Sequence, residues 1–480
     1  MTTTPCFKPR PAEVVPLYRQ LFPRSVLKPL IRAAGVTLYW RLLTPVVMLW
    51  GLIYQRLNAD HTCDAVVSYL RSGAVDDLDP ADRHRVPLSQ RLRSESTSAY
   101  VQGRQRLPLG VVQAALHTVA HQIETWLWPS GPGATEATWH GRRVRLLDGT
   151  TFRIRPGGDW VTTYGQAPNQ HSRGDWVVVK SVAAFCLHAR LCLSYAEGPQ
   201  TTSEPALAVT VLRQDPHPQS LYVGDRIFGV YRVAQVAQAV GHDVLLRLEE
   251  RTAKRLWRQA EGSAEWHSGQ EGRVAWWPTP ETQVEPGLPL DPIRGRVIFV
   301  RLVKPGFRPI ALHLFTTLLS LDEYPVEALV ALYGLRWEVE LDYRHLKMTL
   351  QMATFEVQSA AMFRLELAVG LLTYNLVCAL MVKAACQAGV SPMQLSFSRC
   401  LRRVRELLSH GLPSRVRNYA SVFDHLLKQL ARCRLPPQPH KAQHEPRKVR
   451  HRPWTFPVLH GTRAEARLEC LAQMSEQSVS

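Results

Sequence analysis

Asp148, in LLDGTTF, and Asp225, in YVGDRIF, each close a short apolar stretch, and Glu340 lies far downstream in YGLRWEVELDYRHLK. A carboxylate at a strand terminus of an α/β sheet projects from the sheet edge, where ligand sites tend to form. Taken alone, Asp148 reads as half of an Asp-Gly turn. Around Glu340 the pattern is richer. At about 100° per residue, Tyr333, Arg336, Glu340, Arg344 and Lys347 fall within an arc of about 80° on a helix, whereas Asp342 falls on the far side. One face thus gathers a phenol, a carboxylate and three cations. Spacing alone also describes a solvated face laced by the pairs Arg336–Glu340 and Glu340–Arg344.

Taken together, the three acids point to phosphodiester chemistry. Cutting a phosphodiester requires an activated oxygen nucleophile and stabilisation of a departing 3′ oxygen, and two Mg²⁺ ions about 4 Å apart do both. Magnesium takes oxygen ligands, so carboxylates from distant segments are the expected cage. Cations on the face of the third carboxylate would hold the phosphates of a substrate.

These residues need a scaffold, and the pattern along the chain supplies one. Residues 1–138 read as a helical N-terminal domain, with apolar positions recurring at three and four in VVMLWGLIYQRL and LGVVQAALHTVAHQIETWLW. SGPGATEA, 130–137, reads as a loop. From 139 to 250 the texture is α/β. A turn is expected at Asp148-Gly149, strands in WVVVKSVAAFCLHARLCLSYAEG, SLYVGDRIFG and DVLLRLEE, and a helix in YRVAQVAQAVG stopped by Gly241. Residues 251–307 read as a β-rich insertion bearing Trp257, Trp266, Trp276 and Trp277. The α/β domain resumes over 308–390 with a strand in IALHLFTTLL and one long helix opening near Pro325. Residues 391–480 form a basic region. Arg399, Arg402, Arg403 and Arg405 lie on a helix, and Lys441, Arg447, Lys448, Arg450 and Arg452 lie in a Pro-rich, partly disordered tail.

The 480 residues carry 58 Lys and Arg against 40 Asp and Glu, a formal charge of +18. That excess steers a protein toward phosphates and releases counterions on contact, so nucleic acid is the expected partner and an unrelated basic enzyme the alternative. Hydrophobic residues are 45% and charged residues 20%, which excludes a wholly disordered chain. The length suggests roughly two to four domains. Nine cysteines without a CxxC pair argue against a zinc ribbon or thioredoxin-type site and are expected as free thiols in a reducing cytoplasm. The N-terminus has no apolar signal-peptide core, and Arg41 and Pro45 interrupt the apolar stretch 35–53, so a core helix is expected there rather than a membrane span.

The spacing Tyr-(2)-Arg-(3)-Glu-(6)-Lys, realised as Tyr333, Arg336, Glu340 and Lys347, follows DGT at Asp148, GDRIF at Asp225 and LFTTLL at 314–319 in order. This resembles the signature of the DDE transposases of the insertion-sequence-four family of bacterial mobile elements, over roughly residues 30–385. The resemblance implies an α/β fold. A ribonuclease-H-like catalytic domain would carry a β-rich insertion and be flanked by the helical N-terminal domain and the basic helical and disordered C-terminal region. Asp148, Asp225 and Glu340 match the family's metal-binding triad, implying two Mg²⁺ ions for which Mn²⁺ can substitute. Tyr333, Arg336 and Lys347 match its DNA-contacting signature, and Trp337 resembles a tryptophan that holds distorted DNA near the cut. Arg344, on the same face, is counted with the DNA-binding residues. One of Trp257, Trp266, Trp276 and Trp277 would stack on a base flipped out during hairpin formation.

The implied activity is cut-and-paste transposition through a hairpin intermediate. Its partners would be double-stranded DNA, both inverted-repeat ends and target, held by a homodimer in the DNA complex, with no membrane involved. The expected location is the bacterial cytoplasm, on the nucleoid when DNA is bound. Within 1–138, the polar stretch from Arg91 to Arg106 is a candidate DNA surface, with an ordinary exposed helix as the alternative. Two other readings stay open: an inactive or domesticated DNA-binding protein, which the intact triad disfavours, and a ribonuclease-H-like nuclease without strand transfer.

Overall fold

The computed structural model describes Tyr18, residues 21–436 apart from 37, 39–41, 74, 77, 79–85, 128–137, 156, 166–175, 262–264, 304–308, 356 and 410–418, and a few positions between 462 and 472. The chain forms two compact units, Met1–Arg301 with Ala311–Pro436, and Leu302–Ile310 with Pro437–Ser480. All functional candidates that can be placed lie in the first. The loop expected at 130–137, the basic tail at 441–452, Cys6 and Cys470 lie outside the described residues. The seven described cysteines are free thiols.

The first unit opens with helices α1 (Arg24–Ala33), α2 (Pro45–Leu57), α3 (Cys63–Arg71), α4 (Leu88–Arg91), α5 (Ser98–Arg106) and α6 (Leu109–Leu127). The Thr44 hydroxyl accepts from Val47 N–H at 3.4 Å and Pro45 takes the first helical position, a start signal that needs no tertiary help. Met48 to Ile53 are all buried, as expected of a core helix.

The sheet comprises β1 (Val144–Ile154), β2 (Val177–Cys186), β3 (Cys192–Pro199), β4 (Leu221–Gly224), β5 (Asp243–Arg247), β6 (Glu271–Trp276), β7 (Ile293–Leu302) and β8 (Ile310–Thr316). Helix α7 (Trp160–Tyr164) follows β1, α8 (Glu204–Gln214) leads into β4, α9 (Tyr231–Ala239) into β5, and α10 (Glu250–Glu261) precedes β6. Strand order is β3-β2-β1-β4-β5-β8-β7-β6, with β2 antiparallel to β1 and β3, and with β1, β4 and β5 parallel. The β3-β2-β1-β4-β5 part, with helices at the crossovers, is the ribonuclease-H-like arrangement. Alternating side chains feed a core on each face: Leu146, Val223 and Leu245 enter one, and Leu147, Tyr222 and Leu246 the other.

Two expectations change here. Asp148-Gly149 forms no turn. Both residues lie inside β1, paired across to Ala183 and Val182. The Asp-Gly turn preference is overridden because β1 continues along β2 to Ile154. Segment 251–307 begins with a helix, and its strands β6 and β7 extend the central sheet through β8. Trp276 and Val297 share a core with Leu147 and Phe315.

Beyond β8 come α11 (Val326–Gly334), a 3₁₀ turn (Leu335–Trp337), α12 (Glu338–Arg344) and a π turn (His345–Thr349). The expected long helix is therefore a continuous path that changes pitch twice. Its wide turn is closed by Leu350 N–H on the His345 carbonyl at 2.9 Å. Helix α13 (Ala360–Gln387) is long and apolar enough to cross a membrane, yet almost all of it is buried inside this unit. Its Asn375 side chain both donates to and accepts from the Cys192 backbone, at 2.7 and 2.8 Å. Helices α14 (Phe397–Ser409) and α15 (Tyr419–Ala431) follow. Arg402 and Arg403 on α14 are exposed, while Arg405 donates to the Leu57 carbonyl at 2.5 Å.

Candidate active site

Asp148 stands where the parallel ladder ends. Leu147 pairs with Gly224, the last residue of β4, and β1 then runs on beside β2, with one further bridge from Arg153 to Thr354. The carboxylate therefore faces the gap left as β4 departs, although it is not at the end of its own strand. Its Oδ1 accepts from Gly149 N–H at 2.9 Å. Asp225 directly follows β4, and its Oδ1 accepts from Ile227 N–H at 2.8 Å, which shapes the turn.

Glu340 projects from α12 with its side chain 47% exposed, and Arg336 Nη2 donates to its Oε1 at 3.3 Å. Two bonds clamp this segment to β1: the Tyr343 hydroxyl donates to the Asp148 carbonyl at 2.9 Å, and Lys347 Nζ to the Thr151 carbonyl at 2.8 Å. From the opposite face Asp342 is buried. It accepts from Arg190 Nε and Nη2 at 2.8 and 2.6 Å and from the Tyr374 hydroxyl at 2.8 Å. Asp342 thus points away from Glu340, as the helical wheel anticipates, and anchors α12 to the core.

The three acids lie within range of one another's charge. Burial pushes the Asp148 carboxyl up to about 6, and the charges of Asp225 and Glu340 push the same way, against the Gly149 N–H and Arg336. Among the described residues no three acidic, His or Cys groups are closed to metal-ligating distance. The donor set itself is all oxygen, the chemistry that hard divalent cations prefer.

The cationic face is only partly as the wheel suggests. Arg336 is buried, lies over the Trp337 ring at 4.6 Å, and its Nε finds no hydrogen-bond partner among the described residues. Trp337 is 59% exposed. Tyr333 is buried. Burial raises its phenol, while Arg336 and Arg247 pull it down. Arg344 is exposed. Lys347 lies over the Phe152 ring at 5.4 Å, and burial lowers its ammonium from the ordinary range. Of the four insertion tryptophans, Trp257 and Trp266 stack on each other at 4.7 Å and Trp276 is buried, whereas Trp277 is 53% exposed. Arg247, Tyr343, Lys180 and Glu204 also reach this region, and sequence reading did not find them. Only Glu204 carried a local signal, following the N-cap Ser203 at the start of α8.

The Transposase DDE domain family matches residues 139–376, spanning all of these positions. The chain is 26% identical over 456 residues to the Transposase InsG for insertion sequence element IS4 of Escherichia coli strain K12, covering 91% of this chain and 92% of that protein. A cryo-EM structure of the piggyBac transposase synaptic complex with hairpin DNA is similar at 10% identity and a TM-score of 0.39, over 91% of this chain and 88% of that one. With its ordered triad, its tyrosine–arginine–glutamate–lysine helix and this full-length relative, the chain belongs to the DDE transposases of the insertion-sequence-four type.

Proposed function

We propose that the protein cuts DNA at the ends of a bacterial insertion sequence and transfers the freed 3′ ends to target DNA, in a cut-and-paste reaction through a hairpin intermediate. What supports this reading is that acids from the end of β4 and from α12, Asp225 and Glu340, both act by their charge on Asp148 of β1, with the buried Arg336 beside Glu340. Asp148, Asp225 and Glu340 are the residues that would hold the divalent cations, taken as two Mg²⁺ with Mn²⁺ as substitute. Bound there, such ions supply an activated attacking oxygen and a stabilised leaving 3′ oxygen.

The rest falls to this chain's own side chains. Arg336, whose buried Nε has no partner among the described residues, is assigned to the phosphate beside the cut. Lys347 exchanges the Thr151 carbonyl for a phosphate, exposed Arg344 extends the same track, and Tyr333 braces Arg336 and Arg247. Trp337 holds the distorted strand. Trp277, the exposed tryptophan among the four, stacks on the flipped base. Residues 1–138 recognise the element ends, with Arg91 to Arg106 as the contacting stretch. The catalytic domain is assigned to 139–250 and 308–390, the insertion to 251–307, and the basic C-terminal region to 391–480. A homodimer holds the two ends, and the work is done in the cytoplasm.

The test is a supercoiled donor plasmid carrying the element ends, incubated with the full chain and Mg²⁺. Nicked, hairpin and joined products are expected. Asp148→Asn, Asp225→Asn and Glu340→Gln should each cut at least about a hundredfold more slowly while binding ends as the parent does. Parent-like cutting by any of the three would refute the site. Cutting without joined product would identify a nuclease, and binding without cutting by the parent would identify a DNA-binding protein.

A further inference from the structure

The π turn that follows α12 leaves a carbonyl for an outside donor. In a continued α-helix the Ala353 N–H would bond to Thr349. Here it donates to the Lys347 carbonyl at 3.2 Å. The Thr349 carbonyl accepts instead from Nη2 of Arg405 at 3.5 Å. Nε of the same guanidinium donates at 2.5 Å to the carbonyl of Leu57, in the last turn of α2, where no N–H of the helix itself reaches. A second link lies just beyond: Gln351 is held at a φ of +55°, and its Oε1 shares a hydrogen bond of 2.9 Å with Nε2 of His61, which follows α2. Behind the turn, buried Phe397 opens α14 and stacks on the rings of His345 and Tyr374 at 4.8 and 5.0 Å. Tyr374 is the residue whose hydroxyl braces Asp342.

We propose that Arg405 is a positioning residue for DNA cutting: by bridging Leu57 and Thr349 it holds the π turn in the pitch that carries Lys347 to β1, and so ties the N-terminal helices to the segment bearing Glu340 and Lys347. This rests on the assignment of Glu340 and Lys347 to cleavage. Single π turns are rare and concentrate at functional sites, and a residue such as Gln351 keeps a sparsely populated backbone conformation only where its surroundings hold it. Sequence places Arg405 with Arg402 and Arg403 on one basic helix, but those two are exposed, whereas Arg405 is half-buried and has both of its acceptors on backbone carbonyls. A phosphate-binding arginine and a brace on the π turn therefore predict different losses on substitution.

The test compares the full-length parent with Arg405→Met, which keeps the aliphatic stem and loses both bonds, and Arg405→Lys, which keeps the charge and one donor. Three quantities are measured: the cleavage rate at saturating element-end DNA, the affinity for those ends as a function of salt, and amide hydrogen exchange over 345–353. Arg405→Met should cut about tenfold or more slowly, bind ends with the parent's affinity and salt slope, and exchange several-fold faster over 345–353, with Arg405→Lys recovering part of the rate. A salt slope lowered by about one, with cutting reduced only as far as binding is, would make Arg405 a phosphate contact and overturn the inference. So would a lowered thermal midpoint with parent-like cutting at a temperature where the variant is folded. A parent that does not cut refutes the proposed function and leaves the brace to the exchange measurement, where parent-like exchange in Arg405→Met removes it.

Discussion

Arg336 occupies the hinge of the site. Its guanidinium touches Glu340 and Trp337, its charge acts on Asp148 and Tyr333, and its Nε is buried without a described partner. A lysine would keep the charge but lose the planar fork and the flat contact with the indole. Arg336→Lys should therefore lower the single-turnover cleavage rate by about tenfold to a hundredfold and leave end affinity within a few-fold. An unchanged cleavage rate would remove Arg336 from the reacting phosphate.

At the scale of elements, α12 works because its two faces are committed to different tasks. One presents Glu340. The other drives Asp342 into a buried ion pair with Arg190, braced by Tyr374. Burial raises the Asp342 carboxyl to about 6, while the charge and hydrogen bonds of Arg190 and the Tyr374 hydroxyl pull against it. Asp342→Asn would strand a buried guanidinium, at a cost of about 3–5 kcal/mol. A urea midpoint should fall accordingly. Cleavage should fall with it even where the chain is still folded, because Glu340 loses the anchor of its helix. A variant as stable as the parent would mean that the helix is held by its Tyr343 and Lys347 bonds to β1 instead.

At the scale of the whole molecule, stability should depend on pH through buried imidazoles. Burial pushes His188 down to about 4, and its Nε2 is buried without a described partner. The unfolded chain takes up this proton near pH 6.5. Stability from a neutral His188 is thus fully present above about pH 6.5 and is lost as the pH falls toward 4. The loss is about 3 kcal/mol for this one group. His188→Gln removes the titration, so the variant should lose less stability than the parent between pH 7 and 4 in paired denaturant titrations. Equal losses would show that His188 opens to water before it protonates.

Read alone, the residues single out three acids, their order, and the helical face that joins Tyr333, Arg336, Glu340 and Lys347. These are local properties: periodicity places Asp342 opposite Glu340, and the Ser203 and Thr44 caps mark where helices begin. Most strands were legible for the same reason, since apolar alternation is written into consecutive residues. What lay beyond reach depends on pairing between distant segments. Whether Asp148-Gly149 turns or continues is decided by its partners in β2, more than thirty residues on, and the gap that Asp148 faces is decided by where β4 ends. The exposure of Trp277 and the burial of Trp276 follow from how β6 and β7 join the sheet, and the approach of Glu204 to Gly149 follows from how α8 crosses it. Sequence spacing specifies which side chains share a face. Only the long-range packing that closes the sheet specifies which faces meet, because that choice is made by burial summed over the whole core.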